Sequence, residues 1–376
     1  MTINAENATP KYLQLKEILL GYFDNEHYQR DQKIPSESEL MGRFDVSRGT
    51  VRQTLAELVN EGIIYKKQGS GSFFAGTASL TRPASYLIGV IVPRLSFYIY
   101  PQIIQGIDDV ARQKRYNIVL GSSNVNPTEE SACLEQLLHK RIDGLLIEMS
   151  GGILDFENSL NFQRLLTLPI PVVFMDWMIR HPNISFVSLD DIEGGFRATN
   201  YLIEQGHRRI ACVSPFDTLP GIQRNQGYRN ALAAAQLPYD AQLDKQISIK
   251  QWNEPDTLAK LIRDVLTLAE SVRPTAIFFF NDDGAIQSAT AIRQMGLKIP
   301  DDISIMGFDD SPVASVAEVP LTTMSHPKFQ LGKWAAELLF DQIEHQGRNT
   351  PRQMILHPGI MLRQSVKTLT SSGSAA

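Results

Sequence analysis

Within the stretch that opens at Ser47, Val51, Leu55 and Leu58 fall on one side of a helix turning about 100° per residue, and Arg48, Gly49, Arg52, Gln53 and Ala56 on the other. Guanidinium and carboxamide groups bond guanine edges, adenine edges and phosphates, and Gly49 and Ala56 are small enough to let such a helix enter a groove. Ser47-Arg48-Gly49-Thr50 would also offer free backbone N–H groups to a phosphate. An ordinary solvated helix face has the same composition, so this segment alone leaves both readings open. A second set of groups stands at the ends of short apolar runs: Glu148 after Ile147, Asp176 after Phe174, Asp190 after Ser188, Asn281 and Asp282 after Phe280, and Asp309 after Phe308. Carboxylates and amides, with an arginine such as Arg224, are the groups that bond vicinal hydroxyls, and Phe97, Tyr98, Tyr100 or Trp177 could stack on the less polar face of a sugar.

These groups need elements to hold them. Tyr12, Leu15, Ile18, Leu19 and Tyr22 recur at helical spacing between Lys11 and about Asn25. Ser36-Glu37-Ser38-Glu39 fits a capping box that opens a second helix with Leu40, Met41 and Phe44 as its buried side. The third runs from the Ser47 cap to about Glu61, and Gly62 ends it. Ile63–Lys67 and Ser72–Ala75 read as strands around the turn Gln68-Gly69-Ser70-Gly71. Beyond, strand-like runs (87–92, 117–120, 144–147, 172–174, 186–188, 210–213, 276–280, 304–307) alternate with amphipathic stretches at 100–113, 129–140 and 194–205. That alternation predicts an α/β fold with two parallel sheets, whose ligands bind at the carboxyl ends of the strands.

The 376 residues exceed one hydrophobic core, so two or three folding units are expected. The net charge of −5 gives no overall attraction to nucleic acid, and residues 1–76 carry nine Lys/Arg against ten Asp/Glu. The basic groups are nevertheless local: Arg43, Arg48, Arg52, Lys66 and Lys67 cluster where only Asp45, Glu57 and Glu61 are acidic. No apolar run approaches the roughly 18 residues of a membrane span, and residues 1–10 do not read as a signal peptide, so a cytoplasmic location is expected. Cys133 and Cys212, far apart and without metal-ligand spacing, read as structural thiols, and no metal or cofactor is implied.

The order Pro35-Ser36-Glu37, Leu40, Phe44-Asp45-Val46-Ser47-Arg48-Gly49-Thr50-Val51-Arg52, Leu58, Glu61-Gly62 and Gln68-Gly69-Ser70-Gly71-Ser72-Phe73 closely resembles the GntR-family winged helix-turn-helix. The resemblance implies that Ser36, Glu37, Arg48, Thr50, Arg52 and Gln53 lie at a DNA surface, with the wing from Lys67 through Gln68, Gly69 and Gly71 to Ser72 following the minor groove. Ser72 stands where Thr is common, and Lys67 where Arg is common. Arg43 and Ser47 join this surface through the basic patch and the helix start. From Ile88 onward the chain resembles the LacI/GalR-type effector domain, a two-lobed type I periplasmic-binding-protein-like fold. The motifs are Arg141-Ile142-Asp143-Gly144, Asp190-Asp191-Ile192-Glu193-Gly194-Gly195, Gly206-His207-Arg208-Arg209-Ile210, Arg224 with Gly227-Tyr228, Asn281-Asp282, and Gly307-Phe308-Asp309-Asp310. The pairing is that of the arabinose repressor family of Gram-positive bacteria.

That resemblance implies effector contacts at Arg94, Phe97, Tyr98, Tyr100, Asp176, Arg224, Asn281, Asp309 and His326. For Asp190 and Glu148 a hinge or capping role stands beside ligand contact, and His326, before Pro327, could simply bond a crossover segment. His207 reads as structural. The expected organisation is a DNA-binding domain over residues 1–76, a linker over 77–85, an effector and dimerisation domain over 86–368, and a disordered tail over 369–376. The expected function is a homodimeric repressor of sugar-utilisation genes, released from double-stranded operator DNA by a neutral sugar such as L-arabinose. The rivals are a sugar-binding protein of another role and a carbohydrate-active enzyme, for which the clustered acids are the only support; no catalytic motif is present.

Overall fold

The computed structural model describes residues 10–25, 28–60, 62–67, 70–75, 84–150, 159–178, 181–345 and 350–369. It divides into two compact units, residues 1–84 and 85–376.

The first unit holds three helices, α1 (Lys11–Asn25), α2 (Glu37–Phe44) and α3 (Arg48–Asn60), followed by an antiparallel ribbon of β1 (Ile64–Lys67) and β2 (Gly71–Phe74). Leu15, Leu19 and Phe23 of α1, Leu40 of α2 and Val51, Leu55 and Leu58 of α3 meet Ile63, Ile64 and Phe74 in one core. Each such side chain contributes about 1.5–3 kcal/mol by leaving water. Ser36 caps α2 in a reciprocal box, its N–H donating to Glu39 Oε2 at 2.7 Å and its Oγ accepting from Glu39 N at 3.3 Å. Helix α3 closes through Gly62, at φ 70°, a left-handed conformation that glycine adopts without steric penalty.

The second unit is two α/β lobes. In chain order the first comprises β3 (Leu87–Val92), α4 (Tyr100–Gln113), β4 (Asn117–Ser122), α5 (Pro127–His139), β5 (Gly144–Ile147), α6 (Leu160–Leu166), β6 (Val172–Met175) and β7 (Ser185–Leu189). The second comprises α7 (Asp191–Glu204), β8 (Ile210–Pro215), α8 (Leu219–Ala234), β9 (Asp244–Ile247), α9 (Ile249–Trp252), α10 (Pro255–Leu266), β10 (Ala276–Phe279), α11 (Asp282–Gln294), β11 (Ser304–Asp309) and β12 (Thr322–Ser325). The chain then returns through α12 (Lys328–Glu344) and β13 (Gln353–Leu356) to the first lobe, and ends its ladders with β14 (Ile360–Met361) in the second. The sheet orders are β13-β7-β6-β5-β3-β4 and β14-β12-β11-β10-β8-β9, parallel throughout except that β14 runs antiparallel to β12. Three chain segments therefore cross between the lobes, after β7, after β12 and after β13. They are bonded side by side: Asp190 N donates to Leu356 O and Ser325 N to Gly359 O, each at 2.8 Å.

Each lobe has one helix pair in backbone contact. Gly106 of α4 and Gly332 of α12 face each other so closely that a Cβ on either would lie 2.1 or 2.0 Å from a carbonyl oxygen of the other helix. Gly195 of α7 and Gly227 of α8 repeat the arrangement at 2.1 and 2.2 Å.

Four strands departed from the sequence reading. β9 and β12 carry few apolar residues and β14 is two residues long, so their local pattern is silent; β13, with the sequence QMIL, is apolar but was not read as a strand. The chain ends also differ. Ser85, assigned to the linker, donates its N–H to Asp143 Oδ1 at 3.0 Å and belongs to the second unit. Leu369, assigned to a disordered tail, donates to Gln205 O at 2.7 Å. Residues 76–83 and 370–376 lie outside the described residues. No described helix is long and apolar enough to cross a membrane.

Candidate functional site

The polar face of α3 is open. Arg48, Gly49, Arg52, Gln53 and Ala56 are exposed, while the opposite face is sealed into the core. Ser47 caps the helix, accepting from Thr50 N at 3.2 Å, with its hydroxyl 2.9 Å from that of Thr50. Glu37 lies beside this start, 3.5 Å from Arg48 Nε, and orients the guanidinium. Both groups are solvated enough that the pair contributes little stability. Ser36 remains at the surface, but its hydroxyl is committed to Glu39. Arg43 lies over the Tyr22 ring, 4.4 Å from its centroid, and donates to the Tyr22 hydroxyl at 2.9 Å, so α1 fixes its direction. On the wing, Lys67 Nζ sits 5.2 Å from the Phe73 centroid, above a stacked Tyr65–Phe73 pair. Gly71 takes φ 109°, a conformation natural only to glycine, where the ribbon turns. Gln68 and Gly69 lie outside the described residues.

The second candidate site is a cleft of about 1000 Å³, its open mouth included, between the two lobes of the second unit. It lies at the carboxyl ends of β3, β5, β6, β8, β10 and β11, as the parallel topology requires. Of the residues singled out in the sequence, Arg94, Phe97, Tyr100, Glu148, Asp176, Arg224, Asn281 and Asp309 line it. Its polar centre is Arg224, whose Nε donates to Asp191 Oδ1 at 2.6 Å and NH1 to Phe280 O at 2.7 Å, with Asp309 Oδ1 3.1 Å from NH1. The guanidinium also stacks 3.6 Å from the Phe308 centroid. The Gly195–Gly227 approach of α7 and α8 makes this possible, because the Arg224 backbone itself packs against Gly195 and Asp191 sits one turn before that glycine on α7.

Two residues act from behind the walls. Tyr98 donates its hydroxyl to Asp309 Oδ2, joining the first lobe to the second, and His326 Nε2 lies 3.0 Å from Asp176 Oδ2. Of the two roles open for Asp190 the structure shows the cap: its Oδ1 accepts from Glu193 N at 2.9 Å at the start of α7, and it is not among the residues that line the cleft, so the expected effector contact is not seen. Its neighbour Asp191, one position into the helix, is the acid that meets Arg224. Asn281 combines two roles, capping α11 through Gly284 N at 3.0 Å and lining the cleft. Asp217, Thr218, Phe280 and Trp252 are lining residues that the sequence reading passed over. Asp217 and Thr218 follow β8, and that position was the available signal. Trp252 sits on the short α9, which no periodicity announces.

The backbone is unusual where the acids project: Asp176, Asp309 and Asp310 have φ of 49°, 97° and 48°. Such strain persists only where the surroundings impose it. Burial pushes Asp191 up to about 6 despite Arg224, and burial with Asp309 pushes Asp282 up to about 7. Asp176 goes the other way: burial would raise it, but His326 and then Arg224 hold it below the usual carboxylate range. For Arg224 the pull of Asp191 and Asp309 outweighs burial, leaving a permanent cation. The cleft is thus an acid-rich pocket with one fixed guanidinium and aromatic walls, suited to a neutral polyol.

Both units have counterparts among known proteins. Residues 11–74 match the family of bacterial regulatory proteins described as gntR, and residues 199–366 match the periplasmic binding protein-like domain. The chain is 36% identical to the arabinose metabolism transcriptional repressor of Geobacillus stearothermophilus, over 97% of this chain and 100% of that one. It is 32% identical to the protein of the same description from Halalkalibacterium halodurans, over 92% and 93% of the two chains. The ribose operon repressor of Haemophilus influenzae is 31% identical over 75% of this chain and 81% of its own. Among solved structures, the complex of the transcriptional regulator CelR with cellobiose superposes with a TM-score of 0.66 at 26% identity, covering 85% of this chain and 91% of that one. A regulatory protein of the LacI family from Chloroflexus aggregans gives 0.66 at 26% identity over 75% and 99%. A GntR-type reading head, a LacI-like two-lobed domain and full-length similarity place the chain in the family of the arabinose metabolism transcriptional repressors.

Proposed function

We propose that this repressor binds a pseudo-palindromic operator as a homodimer, through the exposed face of α3 and the wing, and that a neutral sugar, L-arabinose in the first instance, releases it. The observation that carries the sugar reading is Arg224, fixed between Asp191 and Asp309 in a cleft that also presents the carboxyl groups of Glu148, Asp176 and Asp217. Hydroxyls can donate to those acids, whereas a phosphorylated sugar would meet acids facing its own charge. Effector binding closes the lobes about the three crossing segments, and the coupling to operator affinity is expected at ~1–3 kcal/mol. Two-fold protein symmetry matches two-fold operator symmetry.

The same geometry speaks against a glycosidase. Asp176 is held by His326, Asp191 by Arg224 and Asp309 by Tyr98, so these acids are occupied in positioning. A role in the cytoplasm follows from the DNA target. Gel-shift titrations of operator DNA with and without L-arabinose test the proposal: weaker binding with sugar is expected, and unchanged affinity at saturating L-arabinose rejects it as the effector.

A further inference from the structure

Glu148 follows β5, lines the cleft and keeps part of its surface open to it. Tyr100 of α4 donates its hydroxyl to Glu148 Oε1 at 3.1 Å. The charged groups that act on it most are Asp176 at the end of β6, Asp191 of α7 and Arg224 of α8, and Arg94, which follows the neighbouring strand β3, lines the same cleft. Its acidic neighbours all have partners. Asp176 has His326 at 3.0 Å, Asp191 has Arg224 Nε at 2.6 Å, and Asp309 has Arg224 NH1 at 3.1 Å together with the Tyr98 hydroxyl. Among the described residues, no ammonium, guanidinium or imidazole nitrogen forms an ion pair with Glu148 within 4.0 Å.

An unpaired carboxylate in such surroundings sheds its charge by keeping its proton, because its protein neighbours replace water on most sides and the nearest acids are already ionised. The direction agrees: burial first, then Asp176, pushes Glu148 well above the usual carboxylate range. Since Oε1 accepts from Tyr100, the proton belongs on Oε2, for which no partner is found among the described residues. A carboxylic acid can donate where a carboxylate can only accept.

We propose that Glu148 is a neutral acid that recognises the effector by donating a hydrogen bond to one of its oxygens. The cleft then offers a donor from the first lobe to complement the acceptors Asp176 and Asp309 and the donor Arg224, and it selects ligands with an oxygen placed to accept. This inference rests on the reading of the cleft as the effector site.

Two measurements on the full chain separate the inference from that reading. Infrared spectra of the ligand-free wild type and Glu148→Gln, at about pH 8, compare the C=O band of protonated carboxylic acids. At that pH Asp191 and Asp282, at about 6 and about 7, are largely ionised. A band present in the wild type and lost in the variant is expected; no such difference overturns the neutral acid whatever the ligand. Calorimetry with L-arabinose then compares Glu148→Gln and Glu148→Ala. The amide, which can also donate, is expected within about threefold of wild type, and alanine more than about tenfold weaker. Glutamine as weak as alanine would show that an ionised acceptor is required, and alanine equal to wild type would show no contact; either result overturns the proposal. No heat with the wild type removes L-arabinose from the proposed function, while the infrared comparison still decides the proton.

Discussion

Replacing Gly227 by alanine tests how the effector anchor is placed. A Cβ at this position would stand 2.2 Å from Ile192 O, 2.5 Å from Phe196 N and 2.9 Å from Gly195 C. All three are backbone atoms of α7, so no side chain can rotate away. Restoring ordinary contact at about 3.4 Å requires α7 and α8 to separate by roughly 1 Å, an overpacking cost of about 1–3 kcal/mol. Arg224 rides on α8 one turn earlier, and its 2.6 Å bond to Asp191 Oδ1 joins the two helices that must part. The same separation takes that bond beyond useful length, and a charge-assisted hydrogen bond contributes about 1.5–3 kcal/mol, so L-arabinose affinity should fall roughly 10- to 100-fold. Urea denaturation and calorimetry on the same preparation measure the two effects. An alanine variant with unchanged denaturation midpoint and affinity within twofold would refute the claim that the glycine contact sets the anchor.

Two further outcomes are expected. Arg52→Ala should weaken operator binding by about 1–3 kcal/mol in gel shifts if the side chain contacts a base, with the urea midpoint unchanged because Arg52 is exposed; equal operator affinity would remove it from the reading face. His207, whose ring nitrogens face Thr275 Oγ1 at 2.9 Å and Lys367 O at 3.2 Å, is pushed down to about 4 by burial. The unfolded chain therefore takes up this proton first, below pH about 6.5, and stability is lost as the pH falls from there towards 4, roughly 2 kcal/mol by pH 5. His207→Gln should lose less stability than wild type between pH about 7 and 5, and equal losses would show that His207 does not carry the effect.

The parts of the molecule that were legible in the sequence are those where local pattern and tertiary role coincide. Val51, Leu55 and Leu58 announce the buried side of α3 because a surface helix must segregate its faces, and Ser36 with Glu39 announces the start of α2 because the capping box is built within four residues. The strands buried on both faces, such as β5 and β10, appear as unbroken apolar runs. β12, with the sequence TTMS, is buried at its first three residues but satisfies its threonine hydroxyls through distant groups, Thr323 with Asp282 and Thr322 with Arg363 N, so nothing local marks it. Adjacent acids were distinguished only by geometry: Asp190 turns its carboxyl onto its own helix, and Asp191 reaches the neighbouring one. Arg43 carries the right charge for a phosphate, but its direction depends on Tyr22, a partner 21 positions away.

The return of the chain to the first lobe sets an order on its synthesis. Winged-helix residues up to Phe74 can close their core early, whereas the first lobe lacks α12 and its edge strand until residue 356 has left the ribosome. At roughly 5–20 residues per second the gap lasts tens of seconds. A nascent chain therefore carries a finished winged-helix head long before it can carry a finished sensor, and a message cut short within that interval would yield a head with neither an effector cleft nor the domain expected to pair two heads on an operator.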